Sequence, residues 1–169
     1  MAETLELRII ELLSRNLDKL FSISDISKEL KVAYSHAYVF VKRLIGLEII
    51  STQKVGKTIV CRLNLKQPLT LAKVSEISYK KTLQWSKKDP RSEKLFERIE
   101  QIKDSVHSIL LQNNKIIIIV PENMQDADFS IFKNRNVITA RELRKNKNFY
   151  ANSFILHGAE KYWSLVENA

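Results

Sequence analysis

Four isoleucines and a valine follow one another in Lys115-Ile116-Ile117-Ile118-Ile119-Val120-Pro121, and no other stretch restricts the fold so tightly. An unbroken β-branched run lacks the alternation of a half-exposed strand, and it is far short of the roughly 18 residues a membrane span needs. It reads as a strand covered on both faces. A second strand is expected over 136–140 after a polar connection. Residues 141–145 read as a short helix, and 154–166 carry a further apolar pattern through Leu156, Ala159, Tyr162, Trp163 and Val166. Strands and helices in this order make a small α/β unit.

Upstream of it, residues 69–109 read as largely helical. Asp89-Pro90 interrupts the pattern, because proline disfavours helix at the residue before it. Helices are predicted over about 70–85 and 92–111. The Asn64-to-Pro68 stretch breaks the pattern on the other side.

The first 63 residues give helix, helix, helix, hairpin. Leu5, Ile9, Ile10, Leu12 and Leu13 recur at helical spacing after a capping Thr4, predicting a helix over 3–15. Ser24 or Asp25 then caps a compact second helix carrying Ile26 and Leu30. After the brief turn at Lys31-Val32-Ala33-Tyr34, Ser35 opens a third helix. At 100° per residue, Ala37, Val41 and Leu44, with Phe40 alongside, fall within about 60° of one another and face a core. Two β-rich runs, 48–55 and 58–63, meet at Gly56-Lys57, a hairpin signal by alternation and by the turn glycine.

The stretch from Ser22 to Leu44 (SISDISKELKVAYSHAYVFVKRL), with the paired strands EIISTQKV and KTIVCRLN, resembles the winged helix-turn-helix of many archaeal and bacterial transcription regulators. The resemblance covers residues 1–66. It implies that the third helix lies in the DNA major groove and that the hairpin wing touches adjacent backbone or minor groove. Such domains usually carry a glycine between the third helix and the first wing strand. This chain has Glu48 there, with Gly46 two positions upstream, so the helix end is expected to differ locally and an acid there repels phosphate.

The residues agree with that implication on physical grounds. Turning the core-facing set inward leaves Ser35, Val39 and Lys42 on the opposite face, flanked by Tyr34, His36, Tyr38 and Arg43. Hydroxyls, His and Tyr can bond to base edges or phosphates, Lys42 and Arg43 supply charge, and Val39 suits a thymine methyl. On the wing, Lys54, Lys57 and Arg62 surround the Gly56 turn. The plainer alternative makes the aromatic residues packing and the cations solvated surface.

Charge supports a polyanionic partner without choosing one. Lys and Arg number 28 against 19 acidic residues, a net charge of +9 and a pI near 9.6. Residues 1–66 hold 11 basic and 7 acidic side chains, leaving 17 and 12 for the rest. A second concentration, Lys133, Arg135, Arg141, Arg144, Lys145 and Lys147, contains only Glu142 as an acid and reads foremost as solvated surface. The start of the chain lacks a basic, cleavable signal, so a cytoplasmic protein without a membrane partner is expected. The single Cys61, between strand-like neighbours, reads as a small buried hydrophobe.

Signals of catalysis are weaker. Three glycines leave little material for a phosphate loop. Gly56-Lys57-Thr58 imitates the end of one, but it sits between two strands. Asp126 and Asp128 have the spacing by which alternate strand positions present two carboxylates to Mg²⁺, though a polar loop accounts for them better. His107 and His157 lack partners at ligand spacing. His157-Gly158 reads as a helix boundary.

Through KIIIIVPEN, NVITAREL and FILHGAEKYWSLV, the region 95–169 more faintly resembles minimal nucleotidyltransferase-like domains that follow a winged helix in some archaeal proteins. The Gly-Ser turn and paired-aspartate strand of those enzymes have no counterpart in Leu110 to Lys115. The resemblance therefore implies a scaffold without its catalysis. No catalytic residue, cofactor or metal is assigned.

The expectation is an α+β chain: a winged helix-turn-helix at 1–66, a helical linker at 67–92 and a small α/β domain at 93–169. Its expected function is a double-stranded-DNA-binding transcription regulator, with the C-terminal domain serving dimerisation or partner and effector binding. A homodimer and a protein bound through that domain are candidate partners. Alternatives are a nucleotidyltransferase-like enzyme using Asp126 and Asp128, or a protein-docking winged helix within a nucleic-acid-processing assembly.

Overall fold

The computed structural model describes residues 4–125, 127–146 and 150–167. The chain is a mixed α+β protein that divides into two units, Met1–Val74 and Ser75–Ala169.

In the first unit, α1 (Leu5–Ser14) is capped by Thr4, as its sequence predicts. β1 (Phe21–Ser22) leads directly into α2 (Ile23–Leu30). The cap of α2 is Ser22, two residues before Ser24 and three before Asp25, the two expected positions. Its hydroxyl accepts from the Asp25 N–H at 3.1 Å, while the Asp25 carboxylate accepts from the Ser22 N–H at 2.9 Å. This reciprocal pair satisfies two otherwise orphan groups and fixes where the helix begins.

Helix α2 ends at Lys31, held in the left-handed region at φ 53°. The Val32 N–H there reaches back to the Ser27 carbonyl at 3.0 Å. That reversal lets α3 (Tyr34–Gly46) start after only two more residues.

α3 closes in the same way. Glu48 takes φ 58°, and the Ile49 N–H bonds to the Leu44 carbonyl at 3.0 Å. A side chain thus stands at a left-handed position that glycine fills more cheaply.

β2 (Ile50–Val55) and β3 (Thr58–Leu63) form an antiparallel hairpin with Val55 opposite Thr58. Gly56 turns it at φ 59°. β1 adds to the far side of β3, with Phe21 opposite Cys61, to give the order β1-β3-β2. Ile9, Ile10, Leu13, Phe21, Ile26, Ala37, Val41, Leu44, Ile49, Ile50 and Cys61 are buried at the centre of this unit. Each such aliphatic side chain contributes about 1.5–3 kcal/mol on leaving water. Phe40, expected among them, is only partly covered.

α4 (Pro68–Ser86) contains the division between the units, and α5 (Ser92–Glu100) follows the break at Asp89-Pro90. The predicted helix over 92–111 is corrected here. It ends at Glu100, and after a short 3-10 turn the chain becomes strand β4 (Ser108–Gln112). β4 pairs antiparallel with β5 (Lys115–Val120) through a two-residue turn. Asn113 and Asn114 in that turn both take positive φ, 50° and 61°, as a tight hairpin of the right twist demands.

β6 (Arg135–Thr139) lies parallel to β5, and β7 (Phe154–His157) antiparallel to β4, giving the order β6-β5-β4-β7. α6 (Ala140–Lys145) and α7 (Ala159–Glu167) complete the unit. The apolar pattern over 154–166 is therefore a strand and a helix in succession.

β5 is covered on both faces, as its sequence predicts. Ile116, Ile118 and Val120 share one face with Ile109, Leu111, Ile99, Phe129 and Phe132. The alternate residues Ile117 and Ile119, also buried, share the other face with Leu110. On α4, Thr82 donates to the Ile155 carbonyl at 2.8 Å, and Ser78 accepts from the Trp163 indole at 3.0 Å.

Candidate nucleic-acid interface

The ten residues predicted to meet DNA are all exposed, seven on α3 and three on the hairpin. Ala37, Val41 and Leu44 are fully buried, so the opposite arc of the helix, carrying Ser35, Val39 and Lys42, is turned to solvent. Val39 is 62% exposed.

The aromatic flank of α3 is ordered. The Tyr34 and Tyr38 rings lie 6.2 Å apart at a 32° tilt, and the Lys42 ammonium sits 5.7 Å from the Tyr38 ring centre. That distance is within cation–π range and lends Lys42 a preferred direction. On the other flank Arg43, itself exposed, approaches the largely covered Glu6 of α1 at 3.9 Å, a loose pair. His36 and Ser35 stand at the N-terminal end. There Ala33 precedes the helix without any side-chain oxygen to accept from the first N–H groups. Unclaimed N–H groups at such an end favour an anion.

On the hairpin, the register sets Lys54 opposite Ile59 and Thr52 opposite Cys61. These four share the face on which Cys61 enters the core, and Ile59 lies beyond the core edge, 59% exposed. Arg62, on the other face, donates through Nε to the Ser51 hydroxyl at 3.3 Å. Lys57 occupies the turn. Cys61 is buried, and burial pushes its thiol pKa up, with nearby Lys42 acting in the opposite sense. A group so placed is packing material, as its sequence neighbours predict.

Ile59 and Val55 carry exposed apolar surface on opposite faces of the hairpin; Ile59 is not legible as a site residue, since alternation sends it to the core face with Cys61. Burial along the hairpin stops at Ile50 and Cys61, well short of the Gly56 turn, which leaves Ile59 beyond it.

The other candidate groups lie elsewhere. Asp128 accepts from the Ser130 N–H at 2.8 Å and from its hydroxyl at 3.1 Å, which lowers its carboxyl pKa; Asp126 lies outside the described residues. β6 separates Lys133 and Arg135 from Arg141, Arg144 and Lys145 by about 13 Å at strand rise, so the second basic concentration is split in two. Lys147 lies outside the described residues. His107 and His157 come together in a cleft of about 520 Å³ with Glu160 and Lys161. Burial, then Lys161, lowers the His107 pKa. No group of three metal-ligating side chains forms among the described residues. No helix among them is long and apolar enough to cross a membrane.

No family model, no curated protein and no solved structure matches the chain.

Proposed function

We propose that the chain is a DNA-binding transcription regulator whose first unit is a winged helix-turn-helix. α3 enters the major groove of a duplex, the β2–β3 hairpin secures the adjacent backbone, and the second unit serves dimerisation or the binding of a partner or effector without catalysis. The observation that supports this most is the division of α3. One arc is fully buried on Ala37, Val41 and Leu44. The other offers a hydroxyl, an aliphatic methyl pair, an ammonium and flanking aromatic and guanidinium groups, the set that reads base edges and phosphates. Two copies would read half-sites about one helical turn apart.

The test is duplex binding of the full chain, first with fragments selected from genomic DNA and then across a salt series. Phosphate contacts give an affinity that falls steeply with added salt. Lys42→Ala with Arg43→Ala is expected to weaken binding about tenfold or more at fixed salt, with unchanged melting. Unaltered duplex affinity in that variant removes α3 from the groove.

A second reading, a module that docks protein, is favoured by the exposed Val39 and Ile59. Salt separates the two. An apolar dock holds its partner at salt concentrations that strip a protein from DNA.

A further inference from the structure

In the second unit a cleft of about 440 Å³ opens between α5 and the turn end of the β4–β5 hairpin. Its floor is apolar, formed by Trp85, Leu95, Leu111, Ile116 and Phe132. Its rim carries four cations, Arg91, Lys94, Arg98 and Lys133, and two carboxamides, Asn114 and Asn134. None of the described residues lining it is acidic.

The cations differ in how they are held. Arg91 forms a double hydrogen bond to Asp89, 2.9 Å through Nε and 2.7 Å through Nη2, and reaches the Asn114 side-chain oxygen at 3.1 Å. It is already neutralised and serves as wall. The side chains of Lys94 and Arg98, one turn apart on α5, and of Lys133 across the cleft have no hydrogen bond or ion pair to any described residue. Three uncompensated cations around an apolar floor repel one another, and an anion between them relieves that repulsion.

The floor asks for something flat. The Trp85 ring is fixed edge-on to Phe96 at 6.4 Å and tilted against Phe154 at 5.8 Å, so what it presents to the cleft is a rigid aromatic surface. At the edge, Asn134 donates to the Asn114 carbonyl at 3.0 Å and keeps its own side-chain oxygen, while Asn114 keeps its NH2. One acceptor and one donor remain for the edge of a ring. An apolar pocket of a few hundred Å³ with a few convergent polar groups is the usual form of a small-molecule site.

We propose that the second unit binds a small aromatic anion in this cleft: a planar ring system seated on Trp85 and Leu95, bearing a phosphate or carboxylate held by Lys94, Arg98 and Lys133. The site is independent of the DNA-binding proposal, because it is tested on the full chain without nucleic acid.

The probes are 1-naphthyl phosphate, 1-naphthoate and the uncharged 1-naphthalenemethanol, titrated by calorimetry and followed by NMR. The chain has two tryptophans, so the indole N–H signals distinguish the cleft residue Trp85 from the buried Trp163. One anion of the pair, or both, is expected to bind one to one and shift Trp85 but not Trp163. The alcohol is expected to bind at least tenfold more weakly. Lys94→Ala with Arg98→Ala is expected to lose at least tenfold in anion affinity with no change in melting, since both side chains are exposed.

Absence of binding at millimolar anion overturns the proposal. So does equal affinity for the alcohol, or affinity unaffected by the double substitution. Inorganic phosphate binding as tightly as naphthyl phosphate also overturns it, because the floor then contributes nothing. A single-stranded oligonucleotide that displaces every small anion tenfold more effectively than unlabelled naphthyl phosphate does assigns the cleft to nucleic acid and overturns it as well.

Discussion

The Lys42 ammonium lies over the Tyr38 ring, 5.7 Å from its centre and one helical turn along α3, whereas Arg43 beside it turns to Glu6 at 3.9 Å. Two adjacent cations of one helix thus have different surroundings. Lys42 is aimed by an aromatic face. Arg43 shares part of its charge with a carboxylate of another helix.

Lys42→Ala should therefore weaken duplex binding more than Arg43→Ala does, by roughly three- to tenfold, a cost of about 1 kcal/mol. Glu6→Gln, which frees Arg43, should strengthen binding slightly. Fluorescence anisotropy at fixed ionic strength measures all three. Unfolding free energies of these variants should stay within about 0.5 kcal/mol of the parent, as exposed sites allow.

Glu48→Gly should stabilise the first unit by about 0.5–1 kcal/mol. The left-handed conformation costs a residue with a Cβ roughly 1–2 kcal/mol, and Glu48 adopts it at φ 58°. What is lost is one exposed hydrogen bond, from the Gln67 amide to the Glu48 carboxylate at 3.1 Å; the bond from Asn64 to the Glu48 backbone carbonyl at 2.8 Å persists. The midpoint of urea unfolding, read on the first unit, checks the sign.

Gly158→Ala should do the opposite to the second unit. A Cβ there would meet the His107 carbonyl oxygen at 2.3 Å, and the residue takes φ 69°. A backbone carbonyl cannot step aside as a side chain can, so clash and left-handed strain add, for roughly 2–5 kcal/mol. Loss of the near-ultraviolet signal of buried Trp163 at a lower temperature reports it.

The cap of α2 gives the first unit an acid-dependent term. Hydrogen bonds from the Ser22 hydroxyl and N–H to Asp25 hold its carboxyl below the usual carboxylate range. A depressed folded-state pKa contributes stability that is complete above the unfolded value of about 4 and fades as pH falls through the folded value. Asp25→Asn should lower stability at neutral pH and flatten the dependence below about pH 4. Thermal melts between pH 2 and 7 display both effects.

The buried arc of α3 was legible because a helix converts spacing into direction by simple rotation, and the hairpin because alternation and Gly56 locate a turn. The strand at Ile109-Leu110-Leu111 was not. Buried on both faces, it has no alternation, and its β conformation comes from pairing with Ile116, Ile117 and Ile118, partners that a local window does not weigh. Phe154 to His157 shares one apolar pattern with the helix after it, and only the boundary at His157-Gly158 marks where the strand ends. At the start of α2, Ser22, Ser24 and Asp25 all compete for the cap, and only the reciprocal bond with Asp25 selects Ser22. The cleft residues Lys94, Arg98 and Lys133 belong to different elements, and no spacing announces that they share a rim.

The parallel pairing of β5 with β6 has a bearing on how the chain is made. β4 and β5 close through two residues and can associate as soon as both have left the ribosome. The strand that covers the other margin of β5 arrives only after the connection at 121–134. Until then the isoleucine run offers an unpaired edge, which is a template for aggregation. Nascent fragments ending before Arg135 should accordingly be held by chaperones or lost as aggregates, and slow translation through that connection should lower the yield of native protein.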